Sequence, residues 1–413
     1  MESKKNIVIL GAGFGGITMT LKLEKMFSRL GLLKTHAITL IDKNYFHLYT
    51  PALYEIASIP KDEASAISLK SVISIPIDEI IANKAVVFIQ DAVIRLDHEK
   101  KTIILGSGQE IAYDYCVVAL GSETNYFNIP GLETNSLPLK QFTDALKIRN
   151  KIEALLTSKD KLAIVVGGAG ASGVELIAEF SNFICALQRK LVKERQMCNV
   201  YLTLVEASPE ILSGFSESFV AKTKTRLTDL GIEIKTGALI TETTEDTIML
   251  KDGRTIAYDL FIWTGGVKGS SALLSLGLPL TAKGNITVNE FLEAVSHVYA
   301  IGDAAGFIHP TTGKLLNWNV PVAESEARIV AKNITREIMG QKRVSFRPPL
   351  RYPFILAVGK KYALADLIIC EAHGFFGWII KLLVELRYLA TILPLATALN
   401  LWYKAVRLYS SND

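Results

Sequence analysis

Two glycine-rich stretches, each directly after an apolar run, decide the fold. The first reads Gly11-Ala12-Gly13-Phe14-Gly15-Gly16 and follows Ile7-Val8-Ile9-Leu10. The second reads Gly168-Ala169-Gly170-Ala171-Ser172-Gly173 and follows Leu162-Ala163-Ile164-Val165-Val166. In such a strand–turn–helix motif the first glycine permits a tight turn, the second lets a pyrophosphate approach, and the third lets helix and strand pack closely. Two copies predict two dinucleotide sites, which favours a protein that passes electrons between them.

An acidic residue ends the strand that follows each glycine motif. Asp42 follows the apolar run 37–41, and Glu206 follows the run 201–205. A carboxylate in this place accepts hydrogen bonds from the ribose hydroxyls of a bound dinucleotide. The alternative is that each glycine turn only joins a strand to a helix.

A third turn, Gly302-Asp303, follows the short apolar run 298–301. It suits a second anchor on the first dinucleotide, because the carboxylate of Asp303 can bind hydroxyls and the next helix start can face a phosphate. An ordinary turn at a strand end is the alternative.

The order of these segments predicts an α/β fold with two Rossmann-like dinucleotide-binding domains, the second inserted in the first. The first domain is expected over residues 1–140 and 265–345, and the second over residues 141–264. Residues 346–413 are apolar and aromatic but punctuated by charge, so they form a separate C-terminal segment.

The composition excludes several classes of protein. With 49% hydrophobic and 21% charged residues in 413, the chain is a folded protein of two to three domains. A net charge of +4 without a basic tract gives no nucleic-acid signal. The first strand begins by residue 7, so no signal peptide is expected.

The chain's possible metal ligands give no sign of a metal site. The four cysteines form no C-x-x-C pair and are expected to be buried or inert thiols of a reducing compartment. The six histidines are scattered, so no metal is expected.

Several further segments resemble the type II NADH:quinone oxidoreductases, the single-subunit alternative NADH dehydrogenases of the two-dinucleotide flavoproteins. The resemblance covers nearly the whole chain and rests on segments that occur in the family's order. These segments are 38–42 with 47–54, 113–125, 164–175, 263–267, 299–305, 351–354 and 359–367.

The resemblance assigns the two dinucleotides. It implies non-covalent FAD at the first motif and NADH as the substrate at the second, with a membrane quinone as electron acceptor and a homodimer as the assembly. The FAD residues are Gly11, Gly13, Phe14, Gly15, Gly16, Asp42, Lys43, Pro51, Ala119, Gly121, Gly302 and Asp303. The NADH residues are Gly168, Gly170, Ala171, Ser172, Gly173, Glu175, Glu206, Gly265 and Gly266.

Glu175, one turn into the second motif's helix, is the predicted catalytic residue. The resemblance places this glutamate where nicotinamide, flavin and quinone meet. Quinone reduction consumes two protons with two electrons, and a partly buried carboxylate with a raised pKa suits a relay. The alternative is that Glu175 only orients the nicotinamide or caps the helix.

The sequence departs from the family's pattern in the segment that, in the family, lies beside the quinone ring. Where the family carries an Ala-Gln pair, this sequence has Val320-Pro321, so the glutamine donor to a quinone carbonyl is missing. Either Asn319 or a backbone group takes its place, or the acceptor differs.

The C-terminal segment predicts amphipathic helices that lie in one leaflet of a membrane. Charged residues at 381, 385 and 387 forbid a spanning helix. The bilayer interface suits several residues of the segment, namely Trp378, Trp402, Tyr403, Tyr409, Lys404 and Arg407. A peripheral protein on the cytoplasmic face of the cell membrane is therefore expected. The alternative is a helical pair packed on the core or across a dimer.

Three other functions stay open on the sequence. A sulfide:quinone oxidoreductase needs a cysteine pair near the flavin, whereas Cys185 and Cys198 fall on or after the second motif's helix. A soluble ferredoxin or thioredoxin reductase would not need the apolar tail. A slow NAD(H)-binding redox sensor would carry the same binding motifs.

The acid of the second motif predicts which nicotinamide nucleotide is used. Glu206 would repel a 2′-phosphate, so we expect kcat/KM to be higher with NADH than with NADPH. Steady-state rates measured with both nucleotides test this, and comparable efficiencies would contradict it.

Overall fold

The computed structural model describes residues 4–191 and 198–410. Its helices are α1 (Phe14–Leu30), α2 (Leu53–Ile56), α3 (Ala66–Ile73), α4 (Ile77–Ile80), α5 (Leu132–Asn135), α6 (Phe142–Ser158), α7 (Ala171–Leu191), α8 (Glu217–Asp229), α9 (Val320–Ile338), α10 (Phe375–Ile392) and α11 (Leu395–Tyr409).

The strands are mostly short. They are β1 (Lys5–Leu10), β2 (His36–Asp42), β3 (Phe46–Leu48), β4 (Ser74–Pro76), β5 (Val87–Gln90), β6 (Val93–Asp97), β7 (Thr102–Leu105), β8 (Glu110–Ala112), β9 (Tyr115–Val118), β10 (Ser122–Thr124), β11 (Leu137–Pro138), β12 (Leu162–Gly167), β13 (Val200–Val205), β14 (Glu233–Lys235), β15 (Ile240–Thr243), β16 (Thr247–Leu250), β17 (Thr255–Ala257), β18 (Leu260–Trp263), β19 (Val267–Gly269), β20 (Ile286–Thr287), β21 (Glu293–Val295), β22 (Val298–Ala300), β23 (Ala305–Gly306), β24 (Phe354–Ala357), β25 (Ala363–Asp366) and β26 (Glu371–Gly374).

The chain divides into two compact units. The first holds residues 1–48, 74–123 and 267–352, and the second holds residues 49–73, 124–266 and 353–413. Each unit contains one of the two glycine motifs, and each is built on a largely parallel sheet with helices, so the predicted α/β fold class is confirmed.

The central sheet of the first unit has the strand order β21-β22-β9-β1-β2-β5. β1 lies between β2 and β9 and runs parallel to both, with Ile7 opposite Ile38 on one side and Tyr115 on the other. β22 joins the same sheet parallel to β9, as expected of a chain that returns to its first domain. Ile7 to Leu10 are fully buried, which explains their unbroken apolar run.

The second unit repeats this plan in the order β11-β18-β12-β13-β14, with every pair parallel. β12 takes the place of β1, between β13 and β18. In both units the glycine turn therefore leaves the carboxyl end of a central strand, where ligands of open parallel sheets bind.

The units differ from the predicted domain boundaries in two places. Residues 49–73 group with the second unit, although the sequence placed them in the first domain. The C-terminal segment, from Pro353 onward, also belongs to the second unit and is not separate. The reason is packing, because α2 contacts α6 and α7, and β24 contacts α7.

The C-terminal helices follow an antiparallel sheet of β24, β25 and β26. α10 buries Leu382, Glu385, Tyr388, Leu389 and Ile392 inside the unit. It exposes Phe375, Phe376, Leu383 and Val384. The helices are thus packed on the core and also leave apolar side chains outside. Among residues 4–191 and 198–410, no helix combines the length and apolar character needed to cross a bilayer.

The prediction of four unlinked thiols is wrong for one pair. Cys185 in α7 and Cys198 form a disulfide, with their Cα atoms 5.3 Å apart. The bond ties the residue two positions before β13 to the last two turns of α7, a proximity that the fold creates. Cys116 is a buried free thiol in β9, and Cys370 is an exposed one.

Candidate functional site

The first glycine turn is held by close backbone packing. Gly11 has φ +103°, a conformation that side chains rarely adopt. A Cβ on Gly16 would overlap the carbonyl oxygen of Gly11, and one on Gly11 would overlap that of Ala119. Ala119 follows β9, so these glycines fix how α1 approaches the carboxyl ends of β1 and β9.

Asp42 and His47 hold this turn from the side. One Asp42 oxygen accepts the Ala12 N–H at 2.7 Å, and the other accepts the Asn44 N–H at 2.7 Å. Burial raises the pKa of Asp42 above its ordinary value. His47 is fully buried, and its Nδ1 lies 2.9 Å from the carbonyl oxygen of Ala12. Burial lowers the pKa of His47 to about 4, so the ring is neutral and donates from Nδ1.

The second turn repeats the arrangement with different residues. Gly168 has φ +96°, and a Cβ on Gly173 would overlap its carbonyl oxygen. One Glu206 oxygen accepts the Ala169 N–H at 2.8 Å, and the other accepts the Ser208 N–H at 2.8 Å. The acid that ends the second strand thus braces the glycine turn in both units.

The middle glycine of each motif is open. Among the residues that the structure describes, a Cβ on Gly13 or Gly170 would meet no atom within 4 Å, whereas the backbone leaves no room for a Cβ on the first and third glycines. The packing of the protein therefore does not explain Gly13 and Gly170, but a ligand lying against the turn does. Both turns also lead into a helix N-terminus, which favours an anionic group. The residues fit a bound pyrophosphate at each turn.

The Gly302-Asp303 turn lies after β22 in the first unit. Gly302 has φ +62°, and its N–H donates to Glu326 of α9 at 2.6 Å. Asp303 accepts from the Ser122 hydroxyl at 2.5 Å, and its carbonyl accepts from the Asn285 side chain at 2.6 Å. Burial raises the pKa of Glu326 well above its ordinary value, against lowering by the Gly302 hydrogen bond.

Glu175 lies in the first turns of α7, as predicted. It is half-buried, and its Oε1 accepts the Ala357 N–H of β24 at 3.3 Å. Burial raises its pKa to about 8, against lowering by Lys381 and by the Ala357 hydrogen bond. Glu175 therefore holds a proton at neutral pH.

Lys381 of α10 is the cation of this region. Its Nζ lies 2.6 Å from Glu55 Oε1, with the two side chains 18% and 7% exposed. Burial lowers the pKa of Lys381, but Glu55 and Glu385 raise it further, so the net shift is upward. Burial raises the pKa of Glu385 to about 7. Three carboxyl groups, those of Glu55, Glu175 and Glu385, thus act on the one ammonium group of Lys381. Because one positive charge cannot balance three negative charges, this arrangement favours a proton that stays on a carboxyl group.

Tyrosines surround this acidic cluster, which we define as Glu55, Glu175, Lys381 and Glu385. The ring of Tyr54 lies 5.2 Å from Lys381 Nζ, and that of Tyr409 lies 6.0 Å from it. Tyr49 and Tyr388 have ring centroids 5.6 Å apart. Burial raises the pKa of Tyr49, Tyr54 and Tyr409 well above the usual value, so these rings are neutral.

Comparison with known proteins gives the family. Residues 5–327 match the family described as pyridine nucleotide-disulphide oxidoreductase. A type II NADH:quinone oxidoreductase of Haemophilus influenzae is 31% identical over 366 residues, which cover 80% of each chain. The chain belongs to the type II NADH:quinone oxidoreductase family. A relative of the same description from Staphylococcus saprophyticus is 28% identical over 84% of this chain and 85% of its own.

Solved structures share the fold of this type II family member. The NDH2 of Plasmodium falciparum in complex with NADH has a TM-score of 0.80 at 19% identity, over 99% of this chain and 97% of its own. The sulfide:quinone oxidoreductase of Aquifex aeolicus has a TM-score of 0.78 at 19% identity, over 94% of this chain and 91% of its own. These likenesses concern the fold alone.

The remaining predicted site residues of this type II family member, apart from Pro51, lie in or beside the three turns. Phe14, Gly15, Lys43 and Gly121 follow the first unit's strands, whereas Pro51 belongs to the second unit. Ala171 and Ser172 begin α7. Gly265 packs against the Trp263 ring, and Gly266 accepts the Asn125 N–H at 3.0 Å.

The departure from the type II family lies at the start of α9. Asn319 caps this helix by accepting the Val322 N–H at 2.9 Å, and Val320-Pro321 form its first turn. The Asn319 carbonyl is thus engaged, which leaves its amide as the donor. Trp318 offers a second donor, because its buried Nε1 makes no hydrogen bond within the described part of the chain.

The cysteines do not match the arrangement that sulfide oxidation needs. Cys185 lies ten residues beyond Glu175 in α7, which is about 15 Å along a helix. Cys116 is enclosed in the central sheet of the first unit, and Cys370 is exposed in the second.

Sequence reasoning missed several residues of the site. His47, Glu326, Glu55, Lys381 and Glu385 were not named as candidates, although all but Glu326 are charged or titratable residues in an apolar stretch. That local contrast was the available signal. Their partners lie far away in sequence, so the pairings required the fold.

The different roles of the glycines predict different defects. We expect Gly13→Ala to leave the fold intact but weaken FAD retention, because the new methyl group occupies the open face of the turn. Gly170→Ala should raise the KM for NADH for the same reason. Flavin content by absorbance measures the first effect, steady-state rates at varied NADH measure the second, and circular dichroism checks that the fold is intact.

Gly16→Ala and Gly173→Ala are the matched comparisons. Each substitution places a methyl group against a backbone carbonyl. The variants should therefore unfold at a lower temperature, with a free energy of unfolding that is smaller by about 1–3 kcal/mol. Equal thermal stability of Gly13→Ala and Gly16→Ala would contradict the assignment.

Proposed function

We propose that this protein transfers hydride from NADH to FAD and passes the electrons on to a membrane quinone, without pumping protons. Its family, its two glycine turns and its braced acids support the proposal. The observation that carries it is the repetition of an open second glycine in two units of one chain. Bound FAD supplies the two-electron redox chemistry.

The residues of each unit have defined tasks in this reaction. The turn at residues 11–16 and the helix start of α1 hold the FAD pyrophosphate, with Asp42 beside the ribose. The turn at 168–173 and Glu206 do the same for NADH. Gly302 and Asp303 form a second FAD anchor, and Trp318 and Asn319 provide donors for a quinone carbonyl in place of the missing glutamine.

Glu175 is the proton donor in this proposal. Its pKa of about 8 keeps it protonated at neutral pH, so it can supply a proton to the reduced acceptor. Two neighbouring charges tune this proton, because Lys381 lowers the pKa of Glu175 and Glu55 raises it.

The exposed apolar side chains of α10 and α11 support a peripheral membrane location. On α11, Leu395, Leu399 and Tyr403 are 63%, 42% and 63% exposed. They recur every four residues and form one stripe along the helix. A stripe of this kind suits insertion into one leaflet. The cytoplasmic face and the homodimer remain predictions.

Stopped-flow spectroscopy tests the reaction. NADH should bleach the flavin, and a quinone should restore it. A sulfide:quinone oxidoreductase would bleach with sulfide, and a slow redox sensor would bleach with NADH but recover slowly. Failure of the quinone to restore the flavin would overturn the proposal.

A Glu175→Gln variant tests the proton role. Because the raised pKa leaves a proton to donate below about pH 8, turnover in the unmodified protein should fall as the pH rises through this value. Glu175→Gln should lower quinone reduction by about 100-fold and remove this alkaline limb. Flavin bleaching by NADH should persist.

Glu179→Gln is the control, since Glu179 is a buried carboxylate one turn further along α7. It should keep the alkaline limb. If Glu175→Gln instead slows flavin bleaching and keeps the limb, Glu175 orients the nicotinamide and is not the donor.

Polar substitution of the α11 stripe tests membrane binding. The variant Leu395→Asn with Leu399→Asn and Tyr403→Asn should lose sedimentation with phosphatidylcholine vesicles but keep turnover with a water-soluble quinone. Leu274→Asn with Leu350→Asn alters two other side chains that are each 68% exposed, and it should bind normally. Undiminished sedimentation of the first variant would refute the proposal that this stripe binds the membrane.

A further inference from the structure

A groove lies between α3 and α11 in the second unit. Its volume is about 660 Å³, and its polar lining includes Ser68, Ser71, Lys404 and Arg407. The two helices pack against each other, so the groove has two walls of regular structure. One wall presents hydroxyl groups and the other presents cations.

The cations of the groove are available to a ligand. Lys404 and Arg407 are three residues apart in α11, so they project from the same side of the helix. Both are exposed, and neither forms an ion pair within residues 4–191 and 198–410. Glu63, the single acid among the described residues of the lining, has its carboxylate 3.8 Å from Lys190 Nζ. The groove therefore carries uncompensated positive charge.

The hydroxyls complete a polar site opposite these cations. Ser68 and Ser71 are also three residues apart, in α3, and both are exposed. Ser71 donates to the Ser68 carbonyl at 2.7 Å, so its proton is engaged within the helix, whereas Ser68 Oγ lies 3.0 Å from that of Ser65 and can donate to a ligand while it accepts from Ser65. Hydroxyls and a guanidinium together match the oxygens of a phosphate.

The groove adjoins the apolar stripe of α11. Leu395, Leu399 and Tyr403 recur every four residues, and Arg407 follows at the same spacing. The stripe therefore runs for about 12 Å along the helix and ends at a cation of the groove. Acyl chains at the stripe would place their phosphate at this end.

We propose that the groove binds the phosphate headgroup of an anionic phospholipid, with Lys404 and Arg407 as the charged contacts and Ser68 as a hydroxyl donor. This rests on the membrane location in the proposed function. It adds a headgroup preference, because an apolar stripe alone does not distinguish anionic from neutral lipids. The adjoining stripe favours a lipid over free phosphate.

Vesicle sedimentation at about 0.15 M ionic strength tests this with the full-length protein. Vesicles of phosphatidylcholine alone are compared with vesicles that also contain phosphatidylglycerol. Lys404→Gln with Arg407→Gln should bind the anionic vesicles about 30-fold more weakly, the effect of two cations at a membrane surface, and the neutral vesicles unchanged. The control Lys147→Gln with Lys151→Gln removes two exposed lysines from α6 and should have little effect.

Substitution of the serines distinguishes a specific headgroup site from non-specific electrostatic attraction to the membrane. Ser68→Ala with Ser71→Ala keeps the net charge, and we expect about fivefold weaker binding to anionic vesicles. Arg407→Lys should also bind more weakly, since lysine lacks the planar fork. If the serine variant binds like the unmodified protein, or the α6 control loses as much as the groove variant, the proposal is overturned.

Two further measurements distinguish a lipid site from a free-phosphate site, and a failure of this proposal from a failure of the proposed function. Release from anionic vesicles by inorganic phosphate at constant ionic strength would show a free-phosphate site and overturn the lipid assignment. Turnover with a water-soluble quinone is measured on the same samples and should be retained in every groove variant. Loss of that turnover in the unmodified protein would refute the proposed function while leaving the lipid result to stand.

Discussion

The carboxylate that ends the second strand of each sheet braces the turn on which each unit is organised. Asp42 and Glu206 accept the N–H that follows the first glycine, at 2.7 and 2.8 Å. Each bond ties a central strand, its neighbour and the start of a helix into one corner. The third glycine then lets the helix come close enough to complete it. Because the backbone donors are satisfied from inside the protein, the turn is formed before any ligand arrives.

The sequence predicted these corners well because their causes are local. A buried parallel strand, a glycine turn and an acid at the next strand end all fall within about forty residues, and each leaves a visible pattern. The return of the chain to its first sheet was also visible, through the apolar run before Gly302. The disulfide was not, because Cys185 and Cys198 carry no spacing motif and their pairing depends on where β13 starts.

The acidic cluster shows the limit of sequence reasoning more clearly. Lys381 and Glu385 were interpreted as charges that prevent a helix from crossing a membrane. The structure gives them a second task, since both point into the second unit beside Glu55. Charge in an apolar helix indicates only that a partner or water is needed. Which of these is present depends on segments that are more than 300 residues apart in the chain.

The sequence of α10 is therefore constrained on both sides of the helix. Its inner side supplies charges that bear on Glu175, and its outer side presents Phe375, Phe376, Leu383 and Val384. A substitution that suits one side can disturb the other through a shift of the same helix. In a mutational scan, α10 should thus accept fewer replacements than α11, and exchange of the tail between relatives would also exchange part of the acid–base environment of the NADH unit.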